Sequence, residues 1–175
     1  MATEIERKFL VVGNAWRTTP AIVIWQGYLN RDPQRTVRLR VADEQGFLTI
    51  KGAAQGITRA EFEYPIALAD ATAMRALCDG PIIEKLRRRV WHDGLCWEVD
   101  EFLGDNTGLV VAEIELQTEQ QAFTQPPWLG REVSHEPRYF NSRLASQPFC
   151  HWPDRAELTM PDQAAIPSPL TGQPA

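Results

Sequence analysis

The most constraining feature of this chain is an alternation of charged and apolar residues that recurs along most of its length, with charges of like sign two positions apart. Thr3-Glu4-Ile5-Glu6-Arg7-Lys8-Phe9 puts Glu4, Glu6 and Lys8 at every second position. A strand sends alternate side chains to opposite faces, so the three stand in one row. The same period returns in Arg38/Arg40 against Val37, Leu39 and Val41, in Thr49/Lys51 against Leu48 and Ile50, and in Glu61/Glu63 against Phe62 and Tyr64. It continues in Lys85/Arg87/Arg89 against Leu86 and Val90, although Glu84 and Arg88 blur that strand. Glu98/Asp100 then alternate with Trp97 and Val99, and Glu113/Glu115 with Ala112, Ile114 and Leu116.

The period-two runs predict eight strands, at roughly 3–11, 22–30, 36–42, 47–52, 59–66, 82–92, 95–103 and 109–117. Asp93-Gly94 is a hairpin signal, because a type I′ turn needs positive φ at both central residues. Most connections are too short for parallel crossovers, which predicts antiparallel pairing. Three helices are expected: one N-capped by Asp70 and running through Met74, Leu77 and Cys78, one around Glu119 to Phe123, and one over Phe140 to Gln147. Two units follow, a domain over 1–149 and a proline-rich C-terminal tail over 150–175 with one short turn near Arg155 to Leu158.

An open antiparallel sheet with one solvated face would explain any single strand. It does not explain the set, because like charges at i and i+2 repel and a sheet gains nothing by collecting them without a counterion. The alternative is an α+β fold: an eight-stranded antiparallel closed β-barrel, a tunnel with a charged interior and flanking helices outside. Eight strands enclose room for about one small ligand. Charges there are costly unless paired or bound to metal. Carboxylates without His or Cys suit hard ions such as Mg²⁺ or Mn²⁺. Arginine and lysine in the same space suit phosphate oxygens. A metal-bound polyphosphate chain meets both demands.

Composition narrows the alternatives. With 43% hydrophobic and 23% charged residues, the 175-residue chain reads as soluble and globular. A formal net charge of -5 argues against a nucleic-acid partner. No apolar run reaches the ~20 residues of a membrane span, and the first residues do not read as a signal peptide. Cys78, Cys96 and Cys150 form no CxxC pair, which points to a reducing cytoplasm. His92, His135 and His151 have no ligand spacing. The six tryptophans read as outer-wall packing residues. A homodimer is left open.

The ordered motifs resemble the CYTH superfamily, the triphosphate tunnel metalloenzymes. The resemblance rests on Glu4-Ile5-Glu6-Arg7-Lys8 as an ExExK signature, Gln26-Gly27-Tyr28-Leu29, Arg38/Arg40, Thr49-Ile50-Lys51, Glu61-Phe62-Glu63, Glu84-Lys85-Leu86-Arg87, Glu98-Val99-Asp100, Glu113-Ile114-Glu115 and Tyr139-Phe140-Asn141. It covers roughly residues 2–147 and looks most like the short bacterial inorganic triphosphatases. It implies hydrolysis of inorganic tripolyphosphate to diphosphate and phosphate with two Mg²⁺ or Mn²⁺ ions. Class IV adenylyl cyclase chemistry and hydrolysis of ATP or thiamine triphosphate are the alternatives within the resemblance, and a non-enzymatic polyphosphate binder lies outside it. By carry-over, Glu4, Glu6, Glu61, Glu63, Asp100, Glu113 and Glu115 would serve the metals, and Arg38, Arg40, Lys51, Lys85 and Arg87 would grip phosphates. Lys8 and Tyr28 look like a dyad assisting proton removal from the attacking water, on the expectation that cationic neighbours lower the pKa of Lys8.

Overall fold

The computed structural model describes residues 3–158. The strands are β1 (Thr3–Val11), β2 (Ile22–Asn30), β3 (Arg35–Ala42), β4 (Gln45–Gly52), β5 (Thr58–Ile66), β6 (Ile83–His92), β7 (Leu95–Phe102), β8 (Val110–Glu115) and β9 (Leu129–Glu132). The first eight close into an antiparallel barrel in the order β1-β5-β4-β3-β2-β6-β7-β8 and back to β1. The β1 strand makes the closure by using both edges. Glu6 to Leu10 pair with β8, while Thr3 to Ile5 pair with β5 on the other side. Beyond that point β9 takes over the same edge, with Phe9 opposite Glu132 and Val11 opposite Leu129.

The eight expected strands are present, and the Asp93-Gly94 hairpin has φ of 48° and 76° at its two central residues. The ninth strand carries no periodic signal, since Leu-Gly-Arg-Glu is too short and too mixed to show one. Close approach explains its glycine: a Cβ on Gly130 would lie 3.0 Å from the Leu10 carbonyl oxygen.

The apolar faces point outward and are covered over β1, β7 and β8, whereas Val23, Ile50, Phe62 and Tyr64 on β2, β4 and β5 stay exposed. Phe9, Val99, Ala112 and Ile114 from β1, β7 and β8 bury against Trp16, Trp97 and Trp128. Trp97 meets Trp128 and Phe123 edge-on, with centroids 5.8 and 5.5 Å apart. A second cluster joins Phe102, Val111, Tyr139, Leu144, Phe149 and Trp152. Helix α1 (Leu68–Met74) sets Ala71 on Leu39 and Val41. Packed chain therefore continues through Trp152 to Leu158; the proline-rich stretch after Leu158 lies outside the described residues. Trp91 is the exception to tryptophan burial, at 71% exposed.

The helices are shorter than their sequence pattern suggests. Helix α1 begins at Leu68 with Ala67 at its N-cap, so Asp70 lies inside the first turn, where its charge suits the helix dipole. No helix forms over 119–123. There Gln121 Oε1 accepts the Gln117 N–H at 2.7 Å, and Phe123 is drawn onto Phe9 and Trp97. The expected helix over 140–147 reduces to α2 (Asn141–Leu144). One turn, α3 (Arg155–Leu158), lies where the short C-terminal turn was expected.

Candidate active site

The inward faces enclose a cavity of about 590 Å³ lined by Glu4, Glu6, Lys8, Tyr28, Arg38, Arg40, Lys51, Arg59, Glu61, Glu63, Arg87, Arg89, Glu98, Glu113 and Glu115, among others. Its charges divide into two unlike groups.

The first group is a continuous ladder of alternating sign across β6, β7, β8 and β1. Lys85 Nζ donates to Asp100 Oδ2 at 2.5 Å, and Asp100 accepts Arg87 Nε and Nη2 at 2.6 Å each. Arg87 Nη2 reaches Glu113 at 2.8 Å, Glu113 pairs with Lys8, and Lys8 Nζ reaches Glu6 at 2.6 Å. Three cations and three anions cancel, and no side chain in the row is more than 16% exposed. The strand register makes this possible: Lys8 stands opposite Glu113, Glu113 opposite Glu98, and Arg87 opposite Asp100.

The second group belongs mainly to β3, β4 and β5 and is looser. Arg40 reaches Glu63 at 2.7 Å, and Arg38 reaches Glu63 at 3.3 Å and Glu61 at 3.7 Å. Lys51 divides its charge between Glu4 and Glu61 at 2.9 Å each, and Arg59 holds Glu4 at 2.7 Å. The Nε atoms of Arg38 and Arg40 are buried without a hydrogen-bond partner among the described residues. Burial, reinforced by Arg38, pushes Lys51 and Arg40 below their ordinary values.

Glu115 is the counterpart of opposite sign. It follows Glu113 on the inward face of β8, is exposed to the cavity, and makes no ion pair among the described residues. Burial and the neighbouring carboxylates of Glu4, Glu61, Glu6 and Glu98 push its pKa up.

The proton-handling expectation for Lys8 needs correction. Burial alone would lower the Lys8 pKa, but Glu113 and Glu6 outweigh it and the ammonium is held above its ordinary value. Its neighbours are anions, whereas the expected lowering required cations. Burial pushes the Tyr28 phenol up to about 12 against the pull of Arg38, Arg59 and Lys8. Gln26 Nε2 donates to the Tyr28 hydroxyl at 3.5 Å. Among the described residues no hydrogen bond joins Lys8 and Tyr28, so in this arrangement neither is a ready base.

Of the residues singled out from sequence, Glu4, Glu6, Lys8, Tyr28, Arg38, Arg40, Lys51, Glu61, Glu63, Arg87, Glu113 and Glu115 line the cavity. Lys85 and Asp100 do not; they are paired beneath it, 1% and 0% exposed. Arg59 was not singled out, although it shares the inward face of β5 with Glu61 and Glu63 and was legible from the same period. Ser134 and Asn141 also line the cavity. They lie in irregular chain after β9 and at the start of α2, where no periodicity marks them. Ser134 Oγ accepts the Lys8 N–H at 2.9 Å and donates to Glu132 at 2.6 Å, tying that segment to β1.

As arranged, no cluster of His, Cys, Asp and Glu among the described residues is grouped to hold a metal ion. The reason is visible in the pairing, since Glu4, Glu6 and Glu61 are turned onto Lys51, Arg59, Lys8 and Arg38. The donor chemistry still fits a hard divalent cation. Glu115 is unpaired, all its acidic neighbours offer oxygen, and their mutual repulsion is what an added positive charge would relieve.

The CYTH domain profile matches residues 2–143. The chain therefore belongs to the CYTH family. It is 48% identical over 151 residues to an inorganic triphosphatase of Acetivibrio thermocellus, covering 85% of this chain and 97% of the relative. An inorganic triphosphatase of Nitrosomonas europaea is 36% identical over 148 residues, covering 82% and 97%. Among solved structures, that of an inorganic triphosphatase superposes with a TM-score of 0.61 at 35% identity, covering 83% of this chain and 95% of the other.

Proposed function

We propose that the protein is a metal-dependent inorganic triphosphatase that hydrolyses tripolyphosphate to diphosphate and phosphate within the barrel. One observation carries this reading: the same cavity holds a carboxylate, Glu115, with no ion pair among the described residues, and two arginines, Arg38 and Arg40, whose Nε atoms lack partners among them. A cation and a polyanion together would satisfy both. The similarity to proteins named inorganic triphosphatase supports it.

In this reading Glu115, Glu4, Glu6 and Glu61 would hold ions of the Mg²⁺ or Mn²⁺ class, with Glu63 and Glu113 within reach of the same space. Such ions, when bound, supply charge neutralisation and lower the pKa of an attacking water. Arg38, Arg40, Lys51, Arg59 and Arg87 bind the phosphate chain and stabilise charge on the transferring and leaving groups. Lys8, held as an ammonium, serves as a fixed charge beside Tyr28, whose phenol stays protonated and donates.

No helix among the described residues is long and apolar enough to cross a membrane. With three free cysteines, a cytoplasmic setting is part of the proposal.

The test is phosphate release from tripolyphosphate, ATP and thiamine triphosphate, each with Mg²⁺ or Mn²⁺. Tripolyphosphate is expected to turn over fastest, and only with a metal. Much faster turnover of ATP, or cyclic AMP as its product, would contradict the assignment.

A further inference from the structure

Asp100 is the most completely enclosed acid in the barrel, and its surroundings do not suit a metal ligand. It is 0% exposed and contributes nothing to the cavity lining. Both its oxygens are already engaged by cations: Oδ1 accepts Arg87 Nε, and Oδ2 accepts Arg87 Nη2 and Lys85 Nζ, all within 2.5–2.6 Å. A carboxylate gripped side-on by one guanidinium fixes the plane of that group as well as its position. Arg87, unlike Asp100, does line the cavity.

We propose that Asp100, anchored from below by Lys85, is a positioning residue that aims the Arg87 guanidinium at the phosphate chain. The donor inventory of Arg87 supports this. Nε and Nη2 are committed to Asp100 and Glu113, and Nη1 is held by Glu98 alone, leaving one Nη1 hydrogen over. Glu98 is the most exposed of these partners, at 29% against 0% for Asp100 and 8% for Glu113. Nη1 is therefore the corner that faces an incoming anion, and Glu98 is the partner that can yield. Lys85 keeps Asp100 from turning, because its ammonium sits on the oxygen shared with Nη2. The inference rests on the reading of the cavity as a polyphosphate site.

The two roles for Asp100 predict opposite signs in a metal-free experiment. Tripolyphosphate binding is measured by calorimetry in EDTA for the wild type and Asp100→Asn. An amide presents one oxygen and one NH₂ to two cationic donors, so Arg87 loses half its grip. Affinity is expected to fall on the order of tenfold, as for loss of a charge-assisted contact. Were Asp100 instead a metal ligand, removing its negative charge would leave metal-free polyanion binding unchanged or tighter, and that result would overturn the proposal. A double-mutant cycle with Arg87→Lys adds a readout that a merely structural role would not move. The losses should fail to add, because both act through one guanidinium, whereas additive losses would count against it. In the Mg²⁺-activated assay, KM for tripolyphosphate should rise while the Mg²⁺ concentration for half-activation stays within about twofold; a shift of about 10–100-fold would mark a metal role. Should Asp100→Asn not fold, Asp100→Glu carries the same comparison, since its extra methylene displaces the guanidinium while keeping the charge. A wild type that takes up tripolyphosphate only with Mg²⁺ also overturns the aiming role, and one that takes up none even with Mg²⁺ overturns the function proposed above.

Discussion

The two charged walls of the barrel use the same residue types and behave differently. On β6, β7, β8 and β1, five buried charges and the part-buried Glu6 alternate in sign and satisfy one another from Lys85 to Glu6. On β3, β4 and β5, Arg38 reaches its carboxylates only at 3.3 and 3.7 Å, the Nε atoms of Arg38 and Arg40 lack partners among the described residues, and the neighbouring Glu115 makes no ion pair among them. A buried charge that loses its partner is heavily penalised, whereas a loosely paired one that borders the cavity can exchange its partner for a ligand. The first wall thus mainly holds the barrel, offering the site only the free corner of Arg87 and the terminal Glu6, and the second is freer to bind. Charge content alone does not mark a functional wall; incomplete pairing does.

The largest effect is expected from breaking the ladder. Glu113→Ala leaves Lys8 and Arg87 buried with fewer anions and should cost about 3–5 kcal/mol of unfolding free energy in urea titration. A loss under about 1 kcal/mol would mean that the two walls do not differ. Arg40→Ala on the opposite wall should raise KM for tripolyphosphate on the order of tenfold, the weight of one charge-assisted hydrogen bond, while stability changes by under about 1 kcal/mol.

Glu115→Gln sharpens the contrast through its sign. The folded-state pKa of Glu115 is raised above its ordinary 4.5, so the folded protein holds this proton more tightly than the unfolded chain. Ionising Glu115 therefore costs stability as pH rises from about 4.5 through the raised value. The variant should melt slightly higher than wild type at neutral pH, with the gain vanishing below that window, and should need more Mg²⁺ for activity. A lower melting temperature at neutral pH would contradict the unpaired state. The smallest signal is the ultraviolet titration of Tyr28, taken as wild type minus Tyr28→Phe. Phenolate should form near pH 12, and formation below pH 10.0 would restore Tyr28 as a ready base.

The barrel was legible because like charges repeated on one face of a strand are hard to reconcile with an open sheet, and eight strands carry the period. The small elements were not. The Leu129–Glu132 strand is set by backbone approach at Gly130, and the stretch around Gln121 by a side-chain bond and by Phe123 packing, neither of which leaves a periodic trace. In the site, the inward row identified which charges converge but not how they pair. The Lys8 expectation failed for that reason. Its neighbours along β1 and β8 are Glu6 and Glu113, and only the register of those strands reveals that the ammonium is held between anions. Lys85 and Asp100 share the inward period yet are fully buried and do not line the cavity, which alternation alone does not reveal.

The most direct measurement of the division between the walls is a crystal structure with tripolyphosphate and Mn²⁺ bound. The phosphate chain should lie against Arg38, Arg40, Lys51, Arg59 and Arg87, with manganese scattering beside Glu115 and Glu6 and the row from Lys85 to Lys8 unmoved. Phosphate inserted between Lys8 and Glu113, or bound outside the barrel altogether, would contradict it.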